Sequence, residues 1–194
     1  MSITTDRIAP VDAPIIDAVA ARWSTRVFDA DAPIDEAALA SALEAGRWAS
    51  SAFNLQPWRF IVARRGTPTH AKIVNTLTGF NQSWAGAAGA LLVILAETED
   101  ESGKPNATAA YDAGQAAGFV AVQAHVEGLH THQMSGFHAD ELSAAFEIDA
   151  RFQPVTVTAL GTLGDVSQAP EKIREIEAAP RARRPLSESV FIDD

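Results

Sequence analysis

Five groups of residues in this 194-residue chain have the types and spacing to do chemistry. Arg22-Trp23-Ser24-Thr25-Arg26 sets two guanidiniums four residues apart with two hydroxyls between them, donors suited to a phosphate or another anion. The same spacing suits a solvated helix end, where arginine meets the C-terminal dipole, and locally that is the simpler reading. Ser50-Ser51-Ala52-Phe53-Asn54-Leu55-Gln56-Pro57-Trp58 gathers hydroxyls and amides between a helix and a strand, for a polar ligand or merely for a turn. Asn81-Gln82-Ser83-Trp84 precedes an apolar run, and Asn81 can meet the polar edge of a ring or cap a helix. Arg181-Ala182-Arg183-Arg184-Pro185 is a basic knot in an acidic chain, an anion site or a solvated charge run. His125, His130, His132 and His138 form the last group. No metal site is expected from them: His130 and His132 do not face one another on a helix, and H-E-x-x-H is absent.

Composition narrows the chemistry further. With 15 Lys+Arg against 25 Asp+Glu the net charge is −10, which disfavours nucleic acid as a partner. The absence of cysteine removes disulfides, thiol nucleophiles and Cys-ligated zinc or iron–sulfur clusters. G-x-G-x-x-G, G-x-x-x-x-G-K-[ST] and G-x-S-x-G do not occur, so a Rossmann site, a P-loop and a hydrolase elbow are unsupported. Redox chemistry in this chain needs a bound cofactor to carry the electrons. The segment from Met1 to Pro14 lacks a basic region followed by an apolar run, and Ala85 to Ala96 is too short to span a bilayer. A soluble cytoplasmic protein without a membrane partner is the expectation.

The elements that must hold these groups follow from periodicity. A helix starting near Pro14 carries Ile15, Ile16, Val19 and Trp23 on one face. A second starts at Asp35 and Glu36 and carries Leu39, Leu43 and Trp48. Trp58–Ala63, Ala90–Ala96 and Val155–Leu160 read as strands, the middle one buried on both faces. Ala71–Leu77 and Asp140–Phe146 read as short helices, and Thr108–His130 as a long one. Ala110, Gly114, Ala117, Gly118 and Ala121 form a small-residue stripe on it that admits another helix closely. Glu97–Asn106 reads as a loop, and the tail from Pro170 as polar. The expectation is one domain over 1–194, an α+β fold with a small mixed sheet flanked by helices.

Taken in order, these pieces resemble the FMN-dependent nitroreductase family. That family opens on Arg-x-Ser-x-Arg/Lys, here Arg22, Ser24 and Arg26, followed by Phe28. A P-S-x-x-N-x-Q-P-W loop comes next, here Ser50 to Trp58. Asn81 before a hydrophobic strand, Asp112-Ala113-Gly114 through Gly128-Leu129, and the turn Gly136-Phe137 follow. R-x-R-x-P-L closes the pattern, here Arg181 to Leu186. The resemblance spans about Ala20 to Phe191.

The resemblance implies an intertwined homodimer with FMN at the interface, touched by both subunits. It implies that Arg22, Trp23, Ser24 and Arg26 reach the phosphate and the ring edge, joined by Arg181 and Arg183. Ser50, Ser51 and Asn54 would contact flavin from the partner chain, and Gln56 of the same loop would also bind the cofactor. Asn81 would meet the pyrimidine edge, Trp84 would lie near the flavin, and Ser135 and Gly136 near the N5 side. No catalytic side chain is implied, since flavin N5 takes and gives the hydride. NADH or NADPH would be the donor, and a nitroaromatic, quinone or related small molecule the acceptor, in a ping-pong cycle. Two alternatives keep the flavin: a store or sensor without turnover, and a dehydrogenase or dehalogenase for one metabolite. Ser50, Trp84 and Ser135 stand where family members have Pro, Lys and an acidic residue.

Overall fold

The computed structural model describes residues 7–192. Its centre is β2 (Ala90–Glu97), whose apolar run is buried along both faces. Leu91, Val93 and Leu95 point into one core cluster, and Leu92, Ile94 and Ala96 into another. That division is the period-two alternation of a central strand. β1 (Trp58–Arg64), β3 (His130–Met134) and β4 (Phe152–Gly161) complete a four-stranded sheet in the order β1-β2-β4-β3. Its ladders are all antiparallel; a parallel pairing enters at the β3 edge, through the isolated bridge between Ser24 and Thr131.

Helices α2 (Glu36–Arg47) and α5 (Ala109–Val126) cover one face of the sheet. The Asp35 carboxylate caps α2 by accepting the N–H groups of Ala37 and Ala38. Helices α3 (Pro68–Thr76), α4 (Gly79–Ala85), α6 (Ala139–Ala145) and α7 (Glu171–Ala178) lie with the other core cluster, to which they give Ile73, Trp84, Leu142 and Ile173. The fold is α+β, with helices layered on both faces of one small sheet.

Four elements differ from the sequence-based expectation. α1 is confined to Asp17–Ala21, and Trp23 follows it in an extended segment, because Arg22 already leaves helical geometry. α5 ends at Val126 rather than at His130: Gly128 takes φ +83°, a left-handed turn that stops a helix. His130 therefore opens strand β3. Asn81 sits inside α4, and Thr78 precedes that helix as its cap residue. The tail holds α7, whose Ile173 and Glu177 both face inward.

The small-residue stripe also divides in two. Ala117 and Ala121 are buried, whereas Ala110, Gly114 and Gly118 face outward, with nothing within 4 Å of a Cβ built on either glycine. The close helix approach within the chain is made by Gly46 of α2, where an added Cβ would meet Val120 at 2.6 Å. Among the described residues no helix is long and apolar enough to cross a membrane.

Candidate functional site

Arg22–Arg26 runs along the β3 edge of the sheet, held there by the Ser24–Thr131 bridge. The His132 ring binds the Thr25 carbonyl through Nδ1 at 2.9 Å. Arg22 donates to the Ser24 hydroxyl at 3.3 Å, and its Nε is buried without a partner. The Nε of Arg26 is likewise buried and unpartnered. The Arg26 guanidinium lies 5.8 Å from the Phe80 ring and 5.9 Å from the Trp84 ring. Lys172 approaches Phe80 as well, at 4.7 Å.

The basic knot from the far end of the chain reaches the same place. Burial, then the charge of Arg183, lowers the pKa of Arg22; burial, then Arg22, Arg183 and Arg7, lowers that of Arg181. Arg181 donates to the Arg7 and Ala20 carbonyls, which fixes it beside the end of α1. Among the described residues Arg22, Arg181 and Arg183 have no carboxylate partner. Like charges crowded together without counterions make a site for an anion.

The histidines line this cluster rather than gather round a metal. His130 packs edge-on against Trp23 at 4.9 Å and His125 at 5.8 Å, while His132 leans on Trp84 at 4.6 Å. His130 is pushed down to about 4, first by burial and then by His125. His125 is lowered by burial and by Arg22 and Arg181. Among the described residues no group of three His, Cys, Asp or Glu side chains could hold a metal ion.

One wall of the site is a clamped turn. The Gly136 carbonyl accepts the Asn81 side-chain amide at 2.9 Å and both the backbone N–H and the hydroxyl of Thr78 at 3.0 Å. A Cβ at Gly136 would meet Asn81 at 2.6 Å and Thr78 at 2.7 Å, so only glycine fits. Ser135 is exposed beside it. Trp84 is 4% exposed, stacked on Phe28, with its indole N–H unpartnered.

The Ser50–Trp58 loop lies elsewhere in the chain. Ser50 and Gln115 bind each other, and the Asp112 carboxylate accepts the Ala52 N–H at 3.1 Å. Ser51 accepts the Gln56 N–H, and the Gln56 side chain donates to the Asn54 carbonyl. Phe53, Asn54 and Gln56 all adopt φ near +50°, a strained state for side chains of this kind, and the Phe53 ring is 96% exposed. This loop is anchored near Gln115, and the arginine cluster near His125. That is about 15 Å further along α5.

The structure thus brings Arg22 to Arg181 and Arg183, Arg26 to Trp84, and Asn81 to Gly136 beside Ser135, and anchors Ser50, Ser51, Asn54 and Gln56 separately near Gln115. Sequence reasoning missed Glu177, which accepts the Trp23 indole N–H at 3.0 Å, and Arg7, which lies 3.7 Å from it. The available signal was helical spacing: Ile173 and Glu177 fall one turn apart on an inward face.

Comparison with known proteins bears on this arrangement. The model of the Nitroreductase family matches residues 19–77 and 67–162. An uncharacterized 15.4 kDa protein from the ask 5′ region of Mycolicibacterium smegmatis is 39% identical over 140 residues, 69% of this chain and 94% of that protein. A Thermus thermophilus NADH dehydrogenase is 38% identical over 90 residues, 45% of this chain and 42% of that enzyme. A solved structure described as an oxidoreductase containing FMN superposes with a TM-score of 0.89 at 35% identity, covering 97% of this chain and 96% of its own. The fold, the order of the motifs and these matches agree: the chain belongs to the nitroreductase family.

Proposed function

We propose that this protein is an FMN-dependent oxidoreductase that works as a homodimer, with NADH or NADPH as donor and a nitroaromatic, quinone or related small molecule as acceptor. The observation that carries the reading is the unpaired guanidinium cluster of Arg22, Arg181 and Arg183, with the Nε atoms of Arg22 and Arg26 buried and unpartnered. These residues fit a phosphate of nearly two negative charges. The similar FMN-containing oxidoreductase supports the cofactor, and the NADH dehydrogenase relative supports the donor.

Each part of the chain then has a task. Arg22, Arg181 and Arg183 hold the phosphate. Arg26, braced by Phe80 and Trp84, supplies positive charge at the ring edge where negative charge develops on reduction. Gly136, clamped by Asn81 and Thr78, lets the chain approach the ring closely. Bound FMN would supply the chemistry, accepting hydride at N5 and passing electrons to the acceptor. Ser50, Ser51, Asn54 and Gln56 reach the flavin held by the partner copy, and their distance from Arg22 along α5 supports that division.

Anaerobic mixing of flavin-loaded protein with NADH and with NADPH tests the proposal. Loss of flavin absorbance with one donor or both is the expected result. Bound flavin that neither donor reduces would contradict turnover and favour a flavin store or sensor.

A further inference from the structure

Glu177 is a carboxylate, 5% exposed, whose contacts lead into the cation-rich half of the proposed FMN site. Its Oε1 accepts the Arg26 backbone N–H at 2.8 Å. Its Oε2 accepts the Trp23 indole N–H at 3.0 Å and the Thr25 hydroxyl at 3.3 Å, and lies 3.7 Å from Arg7 Nη1. The Arg7 guanidinium in turn lies 5.3 Å from the Trp23 ring. A buried carboxylate needs partners, and a nearby free arginine would be the obvious one. Glu177 pairs with Arg7 at 3.7 Å but spends its hydrogen bonds on Trp23, Thr25 and Arg26, and makes no ion pair with Arg22, Arg181 or Arg183.

We propose, resting on the FMN reading above, that Glu177 is the positioning residue of the phosphate cradle. From α7 it fixes the 23–26 segment, so that the adjoining Arg22 meets Arg181 and Arg183, which lie just beyond the end of α7, with Arg181 bonded to the Ala20 carbonyl. Its hydrogen bonds and ion pair are all with protein groups.

Two consequences of removing this carboxylate have opposite signs. As a bare negative charge it repels a phosphate, so neutralising it would strengthen FMN binding relative to riboflavin. As a positioning group it aligns the donors, so its loss would weaken FMN binding relative to riboflavin. Glutamine cannot take over the role. An amide offers one acceptor oxygen and one donor nitrogen, so either the Arg26 N–H or the Trp23 indole N–H would face another donor.

The test is the ratio of riboflavin to FMN dissociation constants, read from flavin fluorescence on titration with apoprotein. A general weakening of the fold acts on both flavins and cancels in the ratio. Glu177→Gln is expected to lower the ratio by about tenfold, the scale of one lost charge-assisted hydrogen bond. Trp23→Phe removes a single donor and lowers it less. Adding Glu177→Gln to Arg22→Ala lowers it no further, because Glu177 acts through Arg22. A ratio left unchanged or raised by Glu177→Gln overturns the proposal. If that variant does not fold, an unchanged ratio in Trp23→Phe overturns it. A wild-type protein that binds neither flavin overturns the FMN reading, and the positioning role with it.

Discussion

Arg22 and Arg181 are both lowered by burial first, then by neighbouring guanidiniums: Arg22 by that of Arg183, and Arg181 by those of Arg22, Arg183 and Arg7. Burial also lowers His70, His130 and His132. His130 is pushed down to about 4, by burial first, then by His125, against the opposing pull of Glu177. His132 and His70 are lowered chiefly by burial. An unfolded chain takes up these protons near pH 6.5, whereas the folded chain holds off to lower pH. Between about 6.5 and about 4 the unfolded state therefore binds more protons. Stability from His130 is complete above that window and is lost as pH falls through it. The apoprotein should melt at progressively lower temperature from about pH 7 to about pH 5, and His130→Phe should flatten that slope. An equal slope in the variant would contradict the assignment.

Among the elements, legibility followed how local the cause was. The apolar run of β2, the acidic start of α2 and the body of the small-residue helix α5 carry their causes within their own sequences; β2 and α2 begin where they were read, and α5 departs only at its C-terminal end. β3 was hidden because His130-Thr131-His132-Gln133-Met134 is polar for a buried strand. The partners its side chains find are distant in sequence, as when the Thr25 carbonyl meets His132 and the Ala117 carbonyl meets Gln133. α7 was hidden for the same reason, since Glu177 looks solvent-facing until Trp23, Thr25 and Arg26 are brought to it. The site follows the same rule. Arg22, Arg26, Arg181 and Arg183 were visible as spaced cations, and the order of the motifs identified the family. Glu177, Arg7 and the clamp from Thr78 and Asn81 to Gly136 depend on long-range contacts, which no spacing encodes.

For the whole molecule, the outward surface of α5 and its surroundings bears on assembly. Tyr111 is 71% exposed, Phe119 and Val126 are exposed on the same helix, and Gly114 and Gly118 open a shallow notch beside them. The exposed Phe53 and Trp48 extend the apolar surface toward the strained loop. In the homodimer proposed above this surface would be the face between the two copies, bringing each Ser50–Gln56 loop to the other copy's arginines. Gly118→Leu should separate the dimer in sedimentation and abolish flavin retention while the chain stays folded, because an added Cβ there meets nothing within 4 Å. An unchanged dimer would place the interface elsewhere.

The most direct test of the central claim is the visible spectrum of the purified protein after incubation with excess FMN and desalting. The arginine cradle predicts retained flavin bands at about one FMN per chain, the capacity of one phosphate site per copy. A folded protein that leaves the column colourless would contradict the account, and would return Arg22, Arg181 and Arg183 to the role of a solvated charge cluster.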